Sequence, residues 1–277
     1  MSDSPFTFFG TDDFAVTVLI TLADLGLKPQ LIITTPDKPS GRQLILTPPP
    51  VKVWAKENKI PFHQPDKLST LAPNSLFLVA SYGKIIPEQI LSLPTHGTLN
   101  IHPSLLPKYR GATPLQSAIL NGDTATGVTI IKLDKEVDHG PIVAQESFSL
   151  TNQPDITYPE LREALAKSGA QLFAKILPDW LEGKIEAREQ NHSQATFTKK
   201  IIKQAGEIKL DDDPLFNYRK YRAFLPWPGI YFFDQGGKRI IIKKAKLENG
   251  HFTPVRIVPE GGKEKTAHLA ERKGVRS

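Results

Sequence analysis

Asn100 and His102 are the two residues whose types and spacing most clearly suggest chemistry. They stand two positions apart at the end of an apolar run, in the segment LNIHPSLLPKYRGATP. If that run is a strand, side chains two apart point to the same side. An amide and an imidazole there could stabilise an oxygen that gains negative charge during a reaction. The ordinary alternative is that both side chains satisfy backbone groups of a turn.

A carboxylate follows a second predicted strand, in the segment KLDKEVDHGPI. Asp134 and Asp138 both precede a Gly-Pro turn, and spacing alone does not choose between them. Each could also be an ordinary turn residue, as we expect of His139. Because ligands of open parallel sheets bind at the carboxyl ends of strands, we expect one of these carboxylates at the same sheet edge as His102. There it would orient the imidazole and relay a proton through a water molecule.

The elements that must position these side chains alternate between strands and helices. Short apolar runs predict the strands FTFFG, PQLIITT, LFLVAS, GTLNIH and GVTIIKL. Helical stretches are predicted after the first strand and over residues 87–93, 113–121 and 158–181. The alternation predicts an α/β fold, an open and mostly parallel Rossmann-like sheet with helices on both faces. Residues 35–50 carry too many prolines for either element and predict a long exposed loop.

The chain changes character after residue 205. The short β-rich runs IYFF, RIIIKKAKL and TPVRIV predict a small β-barrel of the OB type. We therefore predict a catalytic domain over residues 1–184, a linker over 185–205 and a C-terminal domain over 206–277.

The charge of the chain is divided in the same way. Residues 199–277 carry 18 Lys and Arg against 9 Asp and Glu, a net charge of +9, and residues 1–198 carry 17 against 20, a net charge of −3. A basic C-terminal domain suits a nucleic acid partner, and lysines that only promote solubility are an equal alternative.

The composition argues against several classes of protein. The 277 residues include no cysteine, which excludes disulfides, thiolate metal sites and a cysteine nucleophile. No pair of His or carboxylate residues has metal-ligand spacing, so we predict no metal. The single glycine of FFGTDDFA disfavours a Rossmann dehydrogenase. The N-terminus lacks the basic region of a signal peptide and no apolar run reaches a bilayer span, so we expect a cytoplasmic protein without membrane contact.

Taken together, these segments resemble the methionyl-tRNA formyltransferases. The resemblance is carried by FFGTDDFAV, DKPSGRQLILTPPPVKVWA, NIHPSLLPKYRGATP and GVTIIKLDKEVDHGPI, and it covers nearly the whole chain. The last two motifs also resemble other formyltransferases that use 10-formyltetrahydrofolate. The proline-rich loop and the C-terminal segment PWPGIYFF are similar to the tRNA-dependent members specifically.

The resemblance implies transfer of the formyl group of 10-formyltetrahydrofolate to the α-amine of methionyl initiator tRNA, in support of translation initiation. It implies three catalytic residues and so selects Asp138 over Asp134: Asn100, His102 and Asp138. The folate site that it implies is lined by Ser104, Leu105, Leu106 and Pro107, with Tyr82 and Gly83 nearby. The residues expected to contact tRNA are Arg42, Lys38, Lys52, Lys243 and Lys244. We expect a monomer.

The chain departs from the family pattern after Arg42. Family members commonly carry further basic residues there, whereas this chain continues with QLIL. We therefore expect either reduced affinity or discrimination for tRNA, or tRNA contacts shifted toward Lys38, Lys52 and the basic C-terminal domain. Two other functions stay open. One is a folate-dependent formyltransferase acting on a small amine such as a nucleotide sugar, and the other is a noncatalytic RNA-binding protein that has kept the fold.

Overall fold

The structure is a computed structural model that describes residues 6–41, 43–68, 71–72 and 74–267. Arg42, which was expected to contact tRNA, lies outside the described residues. The strands are β1 Phe6–Gly10, β2 Leu31–Ile33, β3 Lys38–Ser40, β4 Ile45–Thr47, β5 Phe62–His63, β6 Leu76–Ala80, β7 Thr98–His102, β8 Arg110–Gly111, β9 Ala125–Lys132, β10 Ile142–Ser149, β11 Phe197–Thr198, β12 Ile230–Phe233, β13 Arg239–Glu248, β14 His251–Pro259 and β15 Lys265–Thr266. The α-helices are α1 Asp13–Asp24, α2 Pro50–Glu57, α3 Glu88–Leu91, α4 Pro114–Asn121, α5 Tyr158–Leu181 and α6 Pro214–Ala223.

A seven-stranded sheet of order β10-β9-β7-β6-β1-β2-β5 forms the centre of the N-terminal part. Strands β5, β2, β1, β6 and β7 are parallel, as expected of strands joined by helical crossovers. Strands β9 and β10 form an antiparallel margin, in which β9 runs against β7. The predicted α/β fold with a mostly parallel sheet is confirmed.

The two faces of this sheet have different surroundings. Alternate residues such as Phe8, Leu78 and Ile101 are buried in one apolar cluster with α1, α2 and α5. Their neighbours Phe9 and Val79 are buried in a second cluster, which includes residues of α3 and the loop before it. Because side chains alternate along a strand, Asn100 and His102, which flank Ile101, face the side of this second cluster. Fewer helices pack on this side, which is the less covered face of the sheet.

Helix α5 lies unusually close to β7. A Cβ atom at Gly169 would stand 2.4 Å from Cγ2 of Ile101, so only glycine allows this approach. The helix begins with a capping box, in which Thr157 and Glu160 satisfy backbone groups of the first turn. Its position fixes the strand that carries the polar pair.

The prediction of an irregular loop over residues 35–50 is wrong in part. Strands β3 and β4 form a short antiparallel hairpin there, and Leu44, Ile45 and Leu46 are exposed at and after its turn. Three residues per strand give too little periodicity to be read from sequence among prolines. At the base of the hairpin, Lys52 Nζ lies 2.7 Å from Asp37 Oδ2.

The C-terminal part contains a four-stranded antiparallel sheet of order β12-β13-β14-β15, preceded by α6. This sheet agrees with the expected small barrel-like domain. Its buried residues Ile230 and Ile242 share one apolar cluster with Leu115 of α4 and Leu161 of α5. The C-terminal sheet is therefore packed against the N-terminal part of the chain.

Residues 185–205, expected to be a linker, run along the N-terminal part of the chain. Arg188 pairs with Ile142 at the start of β10, and Phe197 in β11 pairs with Arg110 in β8. The domain boundaries themselves stay a prediction. Among the described residues, none of the helices combines the length and apolar character that a membrane crossing requires.

Candidate active site

A cavity of about 630 Å³ lies on the less covered face of the sheet. The cavity extends along β7 from Thr98 to His102. Near the start of the strand its walls include Leu133, whose N–H donates to the carbonyl oxygen of Thr98, and Leu91, whose carbonyl oxygen accepts from the Thr98 hydroxyl. At the other end of the strand His102 lines it. Asn100 also lines it, so the predicted orientation of Asn100 and His102 to one side is observed. The size of the cavity is typical of a site for a small organic ligand.

Both ring nitrogens of His102 have partners in this site. Nε2 lies 3.0 Å from the carbonyl oxygen of Tyr109, and Nδ1 lies 3.4 Å from Oδ1 of Asp138. A carbonyl oxygen only accepts hydrogen bonds, so Nε2 must carry the hydrogen. His102 is only 4% exposed. Because Nε2 is bonded to Tyr109, Nδ1 is the nitrogen available for exchange of a proton with Asp138 or a ligand.

Asp138 reaches His102 by a route that differs from the expected one. Because β9 is antiparallel to β7, its carboxyl end at Lys132 pairs with Leu99, and the expectation that both strands end at one edge is wrong. The loop after β9 instead returns along the face of the sheet. Asp138 has φ +52, and its Oδ2 accepts a hydrogen bond of 2.7 Å from the Gly111 N–H.

The two candidate carboxylates have separate partners. Asp134 Oδ2 lies 2.7 Å from Nδ1 of His139, whereas Asp138 is the one that faces His102. The side chain of Asn100 makes no hydrogen bond within the described part of the chain, although the residue is only 9% exposed. Its amide is therefore available to a ligand in the cavity.

Apolar side chains line one part of the cavity. They are Val79, Tyr82, Ile86, Leu91 and Leu133. The hydroxyl of Tyr82 is buried and has no partner among the described residues, and burial raises the pKa of this phenol. A flat ring with polar atoms at its edge fits such a wall, and Gly83 lies beside it.

Asp12 and Ser81 lie where β1 and β6 end and also border the cavity. Oδ1 of Asp12 accepts from the N–H groups of Phe14 and Ala15, so the carboxylate caps α1, and Oδ2 accepts from Ser81 Oγ at 2.6 Å. Desolvation by the surrounding protein raises the pKa of the Asp12 carboxyl, and the three hydrogen bonds oppose this rise. The residue remains exposed to solvent at the mouth of the cavity.

The segment Ser104–Pro107, expected to line the folate site, turns away from this cavity. Ser104 Oγ donates to the carbonyl oxygen of Lys108, and Leu106 is buried against Ile131. Leu105 and Pro107 border a separate cavity of about 440 Å³. A folate contact by these four residues stays a prediction. The wall residues Val79, Ile86, Leu91 and Leu133 were missed because apolar side chains carry no chemical signal in a sequence.

Of the residues expected to contact tRNA, the four that the structure describes lie outside the cavity. Lys38, Lys243 and Lys244 are exposed and form no ion pair within the described ranges. Lys52 instead pairs with Asp37, whose carboxylate also accepts a hydrogen bond from Gln64. Their role in binding stays a prediction. In the residues that the structure describes, no group of three His, Asp or Glu side chains could hold a metal ion.

Comparison with known proteins adds independent information. The sequence profile of the formyl transferase family matches residues 6–177. A methionyl-tRNA formyltransferase of Chloroflexus aurantiacus is 43% identical over 265 residues, with 92% of this chain and 84% of that protein covered. The corresponding protein of Myxococcus xanthus is 36% identical, with coverage of 94% and 85%.

Solved structures share the fold at much lower sequence identity. WlaRD, a sugar 3N-formyl transferase crystallised in the presence of dTDP and 5-N-formyl-THF, superposes with a TM-score of 0.68 at 18% identity. The alignment covers 94% of each chain. At this identity the likeness extends to the fold only.

Proposed function

Because this chain belongs to the methionyl-tRNA formyltransferase family, we propose that it transfers a formyl group from 10-formyltetrahydrofolate to the α-amine of methionyl initiator tRNA. The observation that carries the proposal is the meeting of His102 and Asp138, beside Asn100, in one cavity. The identity of 36% to 43% over most of the chain favours this substrate over a sugar amine. The protein is proposed to act as a monomer, since one chain supplies all of these residues. Its proposed place of action is the cytoplasm.

The cavity fits a folate. A pterin is flat and carries polar edges, and matching surfaces are offered by the apolar wall at Ile86, Leu91 and Leu133 and by the buried hydroxyl of Tyr82, which has no partner in the described part of the chain. The folate would supply a formyl carbon bonded to nitrogen. The residues of this chain then have to hold that carbon beside the acceptor amine, which removes much of the entropic cost of bringing two large substrates together.

Asn100 and His102 stabilise the negative charge that develops on the formyl oxygen when the amine attacks. Each does so as a hydrogen-bond donor, and loss of one such donor typically raises the barrier by roughly 3 to 4 kcal/mol. His102 can donate from Nδ1 only when it is protonated, because Nε2 is committed to the carbonyl of Tyr109. Asp138 accepts the proton that the amine loses, directly or through a water molecule. When the bond between the formyl carbon and the folate nitrogen breaks, that proton would pass to the nitrogen.

Binding of the tRNA is proposed to rest on the exposed lysines of the hairpin and the C-terminal sheet. Lys38 lies in β3, and Lys243 and Lys244 lie in β13, where they can contact phosphates. Lys52 is a weaker candidate, since its ammonium group is occupied by Asp37. Arg42 is proposed to contact the acceptor end on the family resemblance alone.

Formyl transfer is tested with radiolabelled 10-formyltetrahydrofolate and charged initiator tRNA. We expect formyl-methionyl-tRNA, less product with charged elongator methionine tRNA, and none with uncharged tRNA. A nucleotide-linked amino sugar serves as the competing acceptor. Transfer to the sugar but not to the tRNA would replace the proposal by the small-amine alternative, and binding of tRNA without any transfer would support a noncatalytic protein.

A further inference from the structure

We propose that Gln190 is a positioning residue that holds the Asp138 loop in its working conformation, an inference that rests on the proposed function. Gln190 lies in the segment expected to be a linker, beyond the end of the family match at residue 177. It is only 5% exposed. Its side chain connects a buried arginine with the backbone of the loop that carries Asp138.

The amide of Gln190 uses all of its hydrogen-bonding capacity. Its Oε1 accepts from Nε and Nη2 of Arg110 at 3.2 and 2.7 Å. Its Nε2 donates to the carbonyl oxygens of Asp138 and Gly140 at 2.9 and 2.7 Å. A guanidinium only donates and carbonyls only accept, so the orientation of this amide has one solution.

The loop needs such support because its backbone is strained. Asp138 has φ +52, a left-handed conformation that is costly for residues other than glycine. Two residues on, a Cβ atom at Gly140 would lie 1.9 Å from the carbonyl oxygen of Lys132, so the loop is packed closely against the end of β9. Gln190 binds the carbonyl groups of Asp138 and Gly140, on both sides of His139.

Arg110 in turn fixes Gln190. It is only 4% exposed, and besides Gln190 its Nη2 donates to Nδ1 of His192 at 2.8 Å. The next residue, Gly111, donates its N–H to Oδ2 of Asp138. Backbone and carboxylate of Asp138 are therefore both held from the Arg110 side, which leaves Oδ1 facing His102.

The variant Gln190→Glu separates the two halves of this arrangement. A carboxylate still accepts from Arg110 but cannot donate to the carbonyls of Asp138 and Gly140. We expect kcat to fall on the order of 100-fold, the loss that a misplacement of about 1 Å can produce, with the KM for tRNA changed little. Gln194→Glu, an exposed position of the same segment, is the matched control for charge and should leave kcat unchanged.

A double-mutant cycle distinguishes positioning from a general structural effect. If Gln190 acts through Asp138, Gln190→Glu should have little further effect on kcat in an Asp138→Asn background. The inference would be overturned if Gln190→Glu lowered kcat by the same factor in the Asp138→Asn background as in the wild type. It would also be overturned if kcat were unchanged in the single variant. Gln190→Asn, which keeps an amide, should retain more activity than Gln190→Glu, and equal loss in both would also contradict it.

Hydrogen exchange provides a readout that does not depend on activity. The Gly111 N–H is bonded to Asp138, so its exchange should accelerate in Gln190→Glu and not in Gln194→Glu. Unchanged protection of Gly111 in a folded Gln190→Glu protein would count against the inference. An inactive wild-type protein with Gly111 protection that still depends on Gln190 would refute the proposed function and leave the positioning role standing.

Discussion

His102 donates a hydrogen bond from Nε2 to the carbonyl oxygen of Tyr109 over 3.0 Å, and this contact fixes which nitrogen faces Asp138. Tyr109 itself has φ +62, so its carbonyl is presented by a turn that few residues adopt. The backbone of one loop thereby sets the tautomer of a side chain on the neighbouring strand.

The neutral form of His102 is predicted to be the Nε2–H tautomer. The reason is that the carbonyl of Tyr109 only accepts and is the closer partner, at 3.0 Å from Nε2 against 3.4 Å between Nδ1 and Asp138. Nitrogen NMR of the ring, with His102→Gln used to assign the signals, measures this directly. A neutral ring protonated at Nδ1 would show that the contact with Tyr109 is absent in solution.

Asp138→Asn is predicted to lower kcat strongly, whereas Asp134→Asn should leave it within a few-fold of the wild type. Only Asp138 faces His102, and Asp134 is paired with His139.

Asn100→Ala should lower kcat by roughly 100- to 1,000-fold through loss of one donor, with tRNA affinity nearly unchanged. Steady-state kinetics and tRNA binding are measured on the same preparations, and comparable losses from both Asp variants would contradict the assignment.

Gly169→Ala is predicted to destabilise the protein although alanine is the better helix former. The helical preference is worth about 1 kcal/mol, whereas overpacking of a buried contact costs about 1 to 3 kcal/mol. The new Cβ would meet Ile101, which is buried and cannot move away. Urea unfolding compares this variant with Gln171→Ala, at an exposed position of the same helix. A Gly169→Ala protein as stable as that control would mean that β7 and α5 are less tightly packed.

Alkaline pH is predicted to destabilise the fold through Tyr109. Burial raises the pKa of its phenol to about 12, and Asp123, which accepts from the hydroxyl, adds to the rise. The unfolded chain has a tyrosine pKa near 10, so this stabilisation is complete below pH ~10 and is lost as the pH rises toward ~12. Tyr109→Phe should therefore lose less stability than the wild type over that window in urea titrations. Parallel pH dependence of the two proteins would exclude the effect.

Replacing Lys243 and Lys244 together by serine is predicted to weaken tRNA binding and its salt dependence. Each lost phosphate contact should reduce the slope of log K against log salt by about one. Lys175→Ser, an exposed lysine of α5, is the control and should leave the slope unchanged. Filter binding at several salt concentrations measures both, and an unaltered slope in the double variant would place the tRNA elsewhere.

The sequence by itself determined the residue types and the local geometry of the site. The period of two in β7 put Asn100 and His102 on one side, and alternating strands and helices indicated the sheet that carries them. The resemblance to a family indicated the reaction and selected Asp138. These conclusions depend on short-range patterns, which a single sequence contains.

Only the tertiary structure decided how Asp138 reaches His102 and what holds it there. The direction of β9 depends on its pairing with β7, and pairing between distant segments leaves no local pattern in either. Gln190 contacts residues 50 and 52 positions away in the chain, so its type and neighbours gave no signal of its role. Long-range contacts of this kind are set by the packing of the whole chain, which is why they became visible only in three dimensions.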